Sequence, residues 1–189
     1  MNIRKLLISL FVALSTMTVA AFAQTQAAET TVAKIKGSVM AQLPDGSTVT
    51  VQPGMKLPQG ATISTGANSE AYLVSHSDTV SVVTADSVVG IDEVSVTTAN
   101  GQVTEQKTLL DLKSGNLVSK LNPAKKSVNN YAVRTPKGVA AARGTVFTVS
   151  YKGTNYTIAV LNGTVQITPD AGVAGGISFN VGAGQVTGT

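Results

Sequence analysis

The side chains that most often perform chemistry in proteins are scarce in this sequence. It contains no cysteine and a single histidine, His76, which lies in a polar Ser-His-Ser-Asp segment. Zinc sites built from cysteine or from several histidines are therefore excluded, and a Ser–His–Asp triad could use only His76. Because no Gly-x-Ser-x-Gly segment frames a serine, we expect His76 to be an exposed turn residue and not a catalytic base.

The acidic residues do not form a recognisable site either. Only Asp92 and Glu93 are adjacent, and neighbours along a strand point to opposite faces of a sheet. The calcium-binding loop pattern and the glycine-rich phosphate loop are both absent from the sequence. The fold could still bring two distant carboxylates together, as glycoside hydrolases require, and the sequence leaves that alternative open. The interpretation we favour is a protein that is not an enzyme, with no catalytic residue, metal site or cofactor.

Arg143 is the most informative single residue. It follows the small apolar segment at residues 139–142 and precedes Gly144-Thr145-Val146-Phe147, a setting in which alternation does not predict a guanidinium group. The five N–H donors of arginine form a rigid fork, which backbone carbonyls or a carboxylate could satisfy. We expect Arg143 to be a buried clamp that holds a sheet corner. The alternative is an arginine that binds an anion.

Arg143 belongs to the most patterned part of the chain, residues 131–167. A proline-glycine turn opens this segment, and an Asn-Gly pair closes its last two alternating apolar runs, as is typical of hairpins. We interpret its special residues as a structural signature of the fold and not as an active site. They are Thr135, Pro136, Gly138, Arg143, Gly144, Thr145, Asn162 and Gly163.

The rest of the chain consists of short alternating runs separated by turn residues. Asn100-Gly101, for example, predicts a tight hairpin, and Lys113-Ser114-Gly115 predicts another turn between two strands. No sustained helical period follows the N-terminal segment. Turn signals at such short intervals are typical of an all-β sandwich, roll or solenoid, although no exact repeat is visible.

The first residues have the composition of a secretory signal peptide. Arg4 and Lys5 precede an apolar segment at residues 6–20, and Ala21-Phe22-Ala23 matches the small-x-small pattern of a signal-peptidase site. The apolar segment is shorter than the roughly 20 residues that span a bilayer. We therefore expect cleavage after Ala23 and a periplasmic or secreted protein with no stable membrane anchor; a retained anchor is the alternative.

These patterns predict one domain behind a leader. The expected organisation is a signal-peptide helix at residues 1–23, a disordered lead at residues 24–31 and a β domain at residues 32–187. Without the leader, the chain has 12 basic and 10 acidic side chains, so the net charge would be +2. Apart from Lys125-Lys126 the basic residues are spread singly, with no stripe of arginine, lysine and aromatic residues, and we therefore expect no nucleic-acid partner.

The spacing of glycines and of the Arg-Gly-Thr step resembles the FecR domain of bacterial envelope proteins. That family's pattern runs from a Gly-x-Val opening and an Asp-Gly turn to a Thr-Pro, an Arg-Gly-Thr and a Leu-x-Gly step, and it covers residues 32–186 here. The matching segments are 37–39, 45–46, 54–66, 112–117, 133–136, 141–149 and 160–165.

The resemblance implies an extracytoplasmic, non-catalytic domain with a two-sheet β-roll or solenoid-like sandwich. In the family's sensor members this domain follows a cytoplasmic anti-sigma segment and one transmembrane helix, and it reads the state of an outer-membrane receptor. This sequence departs from that arrangement because it begins with a cleavable signal. We therefore expect a free-standing domain without the sigma-regulating role.

Two functions remain in competition. The first is a binding or signalling and scaffold module of the cell envelope, with a protein or glycan partner. The second is a self-associating surface or extracellular-matrix protein, because low charge and abundant threonine, valine and glycine favour pairing of β edges. The sequence identifies neither the partner nor the oligomeric state.

Overall fold

The structure, a computed structural model, describes residues 23–170 and 177–188. The predicted signal-peptide helix lies outside the described residues, except for Ala23. The predicted all-β class is confirmed, since the described residues form seventeen strands and one 3-10 turn at Pro123–Lys125. The strands are β1 (Gln24–Ala27), β2 (Thr30–Lys36), β3 (Val39–Gln42), β4 (Thr48–Thr50), β5 (Lys56–Leu57), β6 (Thr62–Thr65), β7 (Glu70–His76), β8 (Thr79–Val83), β9 (Val88–Ala99), β10 (Gln102–Leu121), β11 (Asn129–Thr135), β12 (Gly138–Ala142), β13 (Val146–Lys152), β14 (Asn155–Asn162), β15 (Thr164–Pro169), β16 (Phe179–Gly182) and β17 (Val186–Gly188).

The strands form two sheets that enclose the core. The first sheet has the order β4–β3–β6–β9–β10–β11–β12–β15–β16, and β1 pairs with the second half of β9. Its pairs are antiparallel except β10–β11, which is parallel. The second sheet is antiparallel throughout, in the order β5–β2–β7–β8–β10–β13–β14–β17.

Strand β10 belongs to both sheets. Its first part pairs with β9 and β11 in the first sheet, and the part from Gly115 onward pairs with β8 and β13 in the second. The predicted turn at residues 113–115 is therefore a bend within one long strand. Gly115 has φ +98°, in the region that favours glycine, and Asn116 N–H donates to Ser87 Oγ at 2.9 Å.

Tyr131 connects the two sheets through the core. It projects from β11, and its hydroxyl lies 2.8 Å from the hydroxyls of Ser81 and Ser119 in the second sheet. Its ring packs edge-on against Phe147, with centroids 6.0 Å apart. Around this contact the alternating apolar side chains of both sheets are buried; the largest are Leu57, Ile63, Leu73, Ile91, Leu110, Leu112, Leu117, Leu121, Ile158 and Ile167.

The chain crosses repeatedly between the sheets, and its corners stack in two rows. One row contains the corners at residues 37–38, 66–69, 86–87 and 115–116, which are joined by bonds such as Ser38 N–H to Ser69 Oγ and Thr65 N–H to the Ser87 carbonyl. The other row contains the corners at residues 122–123, 144–145 and 163–164, together with the β7–β8 hairpin turn at residues 77–78. Strands β7 and β10 run from the first row to the second, so the rows lie at opposite ends of the second sheet.

The N-terminal segment differs from the prediction. The lead expected to be disordered at residues 24–31 contains β1, and β2 begins at Thr30. Polar, alanine-rich composition does not exclude a strand at the edge of a sheet, because backbone pairing there requires no buried side chain. Strand β1 pairs with residues 95–98 of β9 in this way, with all four of its residues exposed.

We predict that Gly115→Ala destabilises the protein more than Gly101→Ala. A Cβ at Gly115 would lie 2.5 Å from Ser87 Cα, whereas nothing lies within 4 Å of a Cβ at Gly101; both residues have positive φ. Positive φ alone costs about 1–2 kcal/mol, and overpacking adds about 1–3 kcal/mol. Urea denaturation of both variants measures the difference, and equal losses would show that the Ser87 contact adds nothing.

We also predict a loss of stability in alkali that depends on Tyr131. Burial raises the pKa of Tyr131 to about 12, although its two serine partners oppose the shift, and burial raises the pKa of Tyr156 to about 12. Both values exceed the ordinary 10.0, so this stabilisation is complete below pH 10 and is lost as the pH rises from 10 to 12.

Tyr131→Phe isolates the contribution of one tyrosine. At pH 8 the variant should be less stable by about 1–3 kcal/mol because two buried serine hydroxyls lose their partner. Between pH 10 and 12 the wild type should lose about 2–3 kcal/mol more than the variant. Urea midpoints at pH 8, 10, 11 and 12 measure both effects; identical alkaline losses would contradict the assignment to Tyr131.

Candidate functional site

The second row of corners borders an open cleft of about 730 Å³. The cleft lies where strands β11, β12, β15 and β16 meet the turn at Pro123–Lys125. It is lined by Pro123, Lys126, Asn130, Ala141, Ala142, Arg143, Gly144, Asn162, Gly163, Thr164, Gln166 and Asn180.

The floor of the cleft is the outer face of the first sheet. Ala142, Val165 and Val181 are buried on the inner face, so their neighbours along each strand point outward. Ala141, Gln166 and Asn180 are therefore side by side, in the register Ala141↔Gln166 and Gln166↔Asn180. Ala141 lies between Ala132 on β11 and Gln166 on β15, and its short side chain gives the cleft its depth.

The wall of the cleft is held by close contacts between corners. Gly144 has φ +69°, and a Cβ there would lie 2.6 Å from Pro123 Cα, so only glycine lets this corner approach the turn so closely. Thr145 is buried and donates from Oγ1 to the Thr164 carbonyl at 3.0 Å. Asn122 caps the turn, since its Oδ1 accepts from Ala124 N–H at 3.0 Å.

The expectation that Arg143 is a buried clamp is wrong. Its side chain is exposed in the cleft, and it makes no ion pair or side-chain hydrogen bond within residues 23–170 and 177–188. The buried position belongs to Ala142, one residue earlier. Because residues 140–142 are all alanine, their sizes did not reveal which of them face the core.

The other arginine that the structure describes is in the opposite situation. Arg134 lies on neighbouring β11, where its guanidinium forms ion pairs with Asp92 and Asp111. Two carboxylates thus neutralise Arg134, while no carboxylate of the described residues pairs with Arg143. The difference leaves Arg143 available to a ligand.

The lining of the cleft is basic and rich in amides. Among the residues that the structure describes, Arg143 and Lys126 are the charged side chains of the lining, and no aspartate or glutamate belongs to it. Asn130 is partly engaged, because its Nδ2 donates to Glu105 Oε1 at 2.8 Å. A smaller hollow of about 410 Å³ adjoins the cleft and contains one cation and one carboxylate, Lys120 and Asp78.

The structure separates the predicted signature residues into two groups. Four of them, Arg143, Gly144, Asn162 and Gly163, line the cleft, and Thr145 supports it from below. The other three, Thr135, Pro136 and Gly138, form the β11–β12 hairpin at the far end of β12, where Thr135 Oγ1 donates to the Gly138 carbonyl at 3.1 Å.

Several lining residues were not identified from the sequence. Lys126, Asn130, Gln166 and Asn180 come from four separate segments, and each occupies an ordinary outward position of a strand or turn. Polar residues at such positions are typical of any solvent-facing sheet. Only the register of the strands brings them together, and no sequence signal indicated that register.

His76 is buried and not an exposed turn residue, contrary to expectation. Only 7% of it is accessible, and its Nε2 lies 3.1 Å from the Lys107 carbonyl oxygen. A register shift between Val74 and His76 turns both Ser75 and His76 inward. Burial lowers the pKa of His76, and the residue lines neither hollow.

The described residues contain neither a candidate metal site nor a helix that could cross a membrane. No group of three or more histidine, cysteine, aspartate or glutamate side chains could hold a metal ion in the part of the chain that the structure describes. Over the same residues, no helix is long and apolar enough to cross a membrane.

Comparisons with known proteins give one family. The FecR protein family matches residues 61–166, and no curated protein gives a significant match. Two crystal structures of a candidate anti-sigma factor from Parabacteroides distasonis ATCC 8503 are similar, with TM-scores of 0.48 and 0.49. Each is 15% identical, and each alignment covers 68% of this chain and 58% of the other. The chain therefore spans less than two thirds of the length of those proteins.

We predict that Arg143→Gln leaves the stability almost unchanged. An exposed side chain without partners contributes within about 0.5 kcal/mol, so the melting temperature should stay within about 2 °C of wild type. Arg134→Gln is the matched comparison. Arg134→Gln should lower the free energy of unfolding by more, up to about 1 kcal/mol, because Asp92 and Asp111 lose the cation that they share. Thermal unfolding followed by circular dichroism measures both effects. A melting temperature more than 5 °C lower for Arg143→Gln would show that Arg143 does stabilise the sheet corner.

Proposed function

Because this chain belongs to the FecR protein family, we propose that it is a non-catalytic, exported module that binds a partner in the bacterial cell envelope and serves there in signalling or as a scaffold. The observation that carries the proposal is the Arg143 cleft. A rigid wall of stacked corners presents an uncompensated guanidinium, a lysine and several amides to solvent. Such convergent polar groups around an open concavity are typical of binding sites.

The chemistry of the cleft favours binding over catalysis. General acid–base catalysis requires a group whose pKa lies near the working pH, most often histidine or a carboxyl group. The lining contains neither, and the single histidine is buried elsewhere. Arginine and lysine remain charged at neutral pH, so they suit the recognition of an anion.

Export is supported by the N-terminal sequence and by the composition. Arg4 and Lys5, the apolar segment and the Ala21-Phe22-Ala23 step form a secretory signal. The absence of cysteine is compatible with an oxidising compartment, where a free thiol is reactive. A protein or a glycan of the envelope is accordingly the expected class of partner.

A second candidate function, self-association, rests on a different surface. Leu161, Phe179 and Val186 are exposed by 77%, 42% and 68%, and they lie on β14, β16 and β17. Strands β16 and β17 are the last strands of the two sheets among the described residues. Exposed apolar side chains beside unpaired strand edges favour pairing with another copy of the chain.

Photocrosslinking in living cells tests both functions. A photoreactive residue is placed at Gln166 in the cleft, at Val186 beside the strand edge, or at exposed Lys152 as the control. We expect a discrete adduct from position 166, detected as a mass shift of the protein, and none from position 152. The recovered protein should begin at Gln24.

The outcomes separate the candidates. The same adducts from positions 166 and 152 would indicate random collisions and would contradict the binding module. A homodimer formed only from position 186 would favour self-association. Protein that retains the leader and remains in the cytoplasm would contradict export.

A further inference from the structure

We infer that the Arg143 cleft binds a saccharide that carries a carboxylate group. This inference rests on the proposed function as a binding module and names the class of ligand. It combines three features of the cleft among the described residues: an unpaired cation, free side-chain amides, and a floor without an aromatic ring whose central strands, β12 and β15, are paired on both sides.

The positive charge of Arg143 favours an anionic ligand, and the planar shape of its guanidinium group favours a carboxylate. The planar guanidinium can donate two parallel hydrogen bonds to one carboxylate, and the other described arginine, Arg134, also pairs with carboxylates, with one contact each to Asp92 and Asp111. In the cleft Arg143 faces no acidic lining residue. Lys126 stands on the turn beside it and adds a second positive charge, which strengthens the attraction for one anionic group.

The amides indicate hydroxyl groups around that anion. Asn162, Gln166 and Asn180 line the cleft, and none makes a side-chain hydrogen bond with another described residue. Each amide offers a carbonyl acceptor and an N–H₂ donor. A sugar hydroxyl likewise donates and accepts, so three free amides match a ring with several hydroxyls better than they match an isolated anion.

The floor of the cleft argues against an extended peptide. Strands β12 and β15 are paired on both sides, so their backbone groups are engaged. A peptide could not add to them by strand pairing, which is the usual source of affinity for extended peptides. Over these two central strands a ligand must instead be recognised by side chains.

The same floor argues against a neutral sugar. Neutral saccharides gain much of their affinity by packing on aromatic rings, and no phenylalanine or tyrosine lines the cleft. Ala141 and Ala142 provide little apolar area. The affinity must therefore come from charge and not from stacking on an aromatic ring. The volume of the cleft, about 730 Å³, lies in the range of small-ligand sites.

Isothermal titration calorimetry on the purified mature protein tests the inference. The probes are trimers of galacturonate and of mannuronate and a disaccharide that contains N-acetylmuramic acid. The fully methyl-esterified galacturonate trimer is the uncharged control, and triglutamate is the acidic peptide control. We expect at least one acidic saccharide to bind. Its esterified form or neutral counterpart should bind at least 10-fold more weakly, and triglutamate should give no heat of binding.

Variants then locate the binding. Arg143→Gln should lower the affinity for the saccharide at least 10-fold. Gln166→Ala should lower this affinity about 3-fold or more, because one hydrogen bond is lost. Lys152→Gln, which removes an exposed lysine outside the lining, should bind like wild type. Raising the salt from 50 to 500 mM should lower the affinity of the wild type more than that of Arg143→Gln, since salt screens the charge.

Several results would overturn the inference. They are no binding of any acidic saccharide, equal binding of the ester and the acid, equal binding of triglutamate, or full affinity in Arg143→Gln. Failure here is distinct from failure of the proposed function. A discrete cellular adduct from position 166 without saccharide binding would retain the module and reject the ligand class. Saccharide binding in vitro without a discrete cellular adduct would retain the ligand class and contradict the binding of an envelope partner at this cleft in cells.

Discussion

The structure depends on a constraint at one point, the bend of β10 at Gly115. A single strand can serve two sheets only if its backbone turns sharply while its hydrogen bonds continue on both sides. Positive φ at Gly115 permits the turn, and the Ser87 hydroxyl occupies the space that a side chain would fill. The bend brings the inner faces of the two sheets together, and the core around Tyr131 forms between them.

The two rows of corners use the same geometry with different results. In the row that contains Gly115, serine and threonine hydroxyls bond to the corner backbone, for example Ser69 Oγ to Ser38 N–H, and the corners close on one another. In the other row the chain leaves the second sheet at the end of β10 and enters the first sheet at β11, after the turn at Pro123–Lys125. That detour, with Gly144 pressed against Pro123, opens a concave surface beside the sheet. The candidate site is thus a consequence of how the chain crosses between sheets.

The sequence was sufficient for the fold class but not for the site. Period-two patterns identify strands because their physical requirements are local, and Asn100-Gly101 closes the β9–β10 hairpin as predicted. Asn162-Gly163, in contrast, closes no hairpin, since it joins β14 of the second sheet to β15 of the first. Side-chain orientation was predicted less well. Three consecutive alanines concealed the inward position of Ala142 and therefore the outward position of Arg143. An irregular register buried His76, and pairing with β9 ordered β1. Each error arose where the outcome depends on a distant strand.

The contrast between Arg134 and Arg143 explains why an unpaired arginine is tolerated in this position. Arg134 stands near Asp92 and Asp111, which are only partly exposed and would repel each other without a cation. Arg143 lies among alanine, glycine and amide side chains, with Lys126 on the nearby turn, and it is exposed to solvent, so its charge incurs little desolvation cost in the free protein. The energetic consequence appears only when a ligand displaces that solvent. A ligand without a compensating negative charge would leave the guanidinium partly desolvated and unpaired, which is unfavourable. The same residue that contributes little to folding can therefore discriminate strongly between charged and neutral ligands.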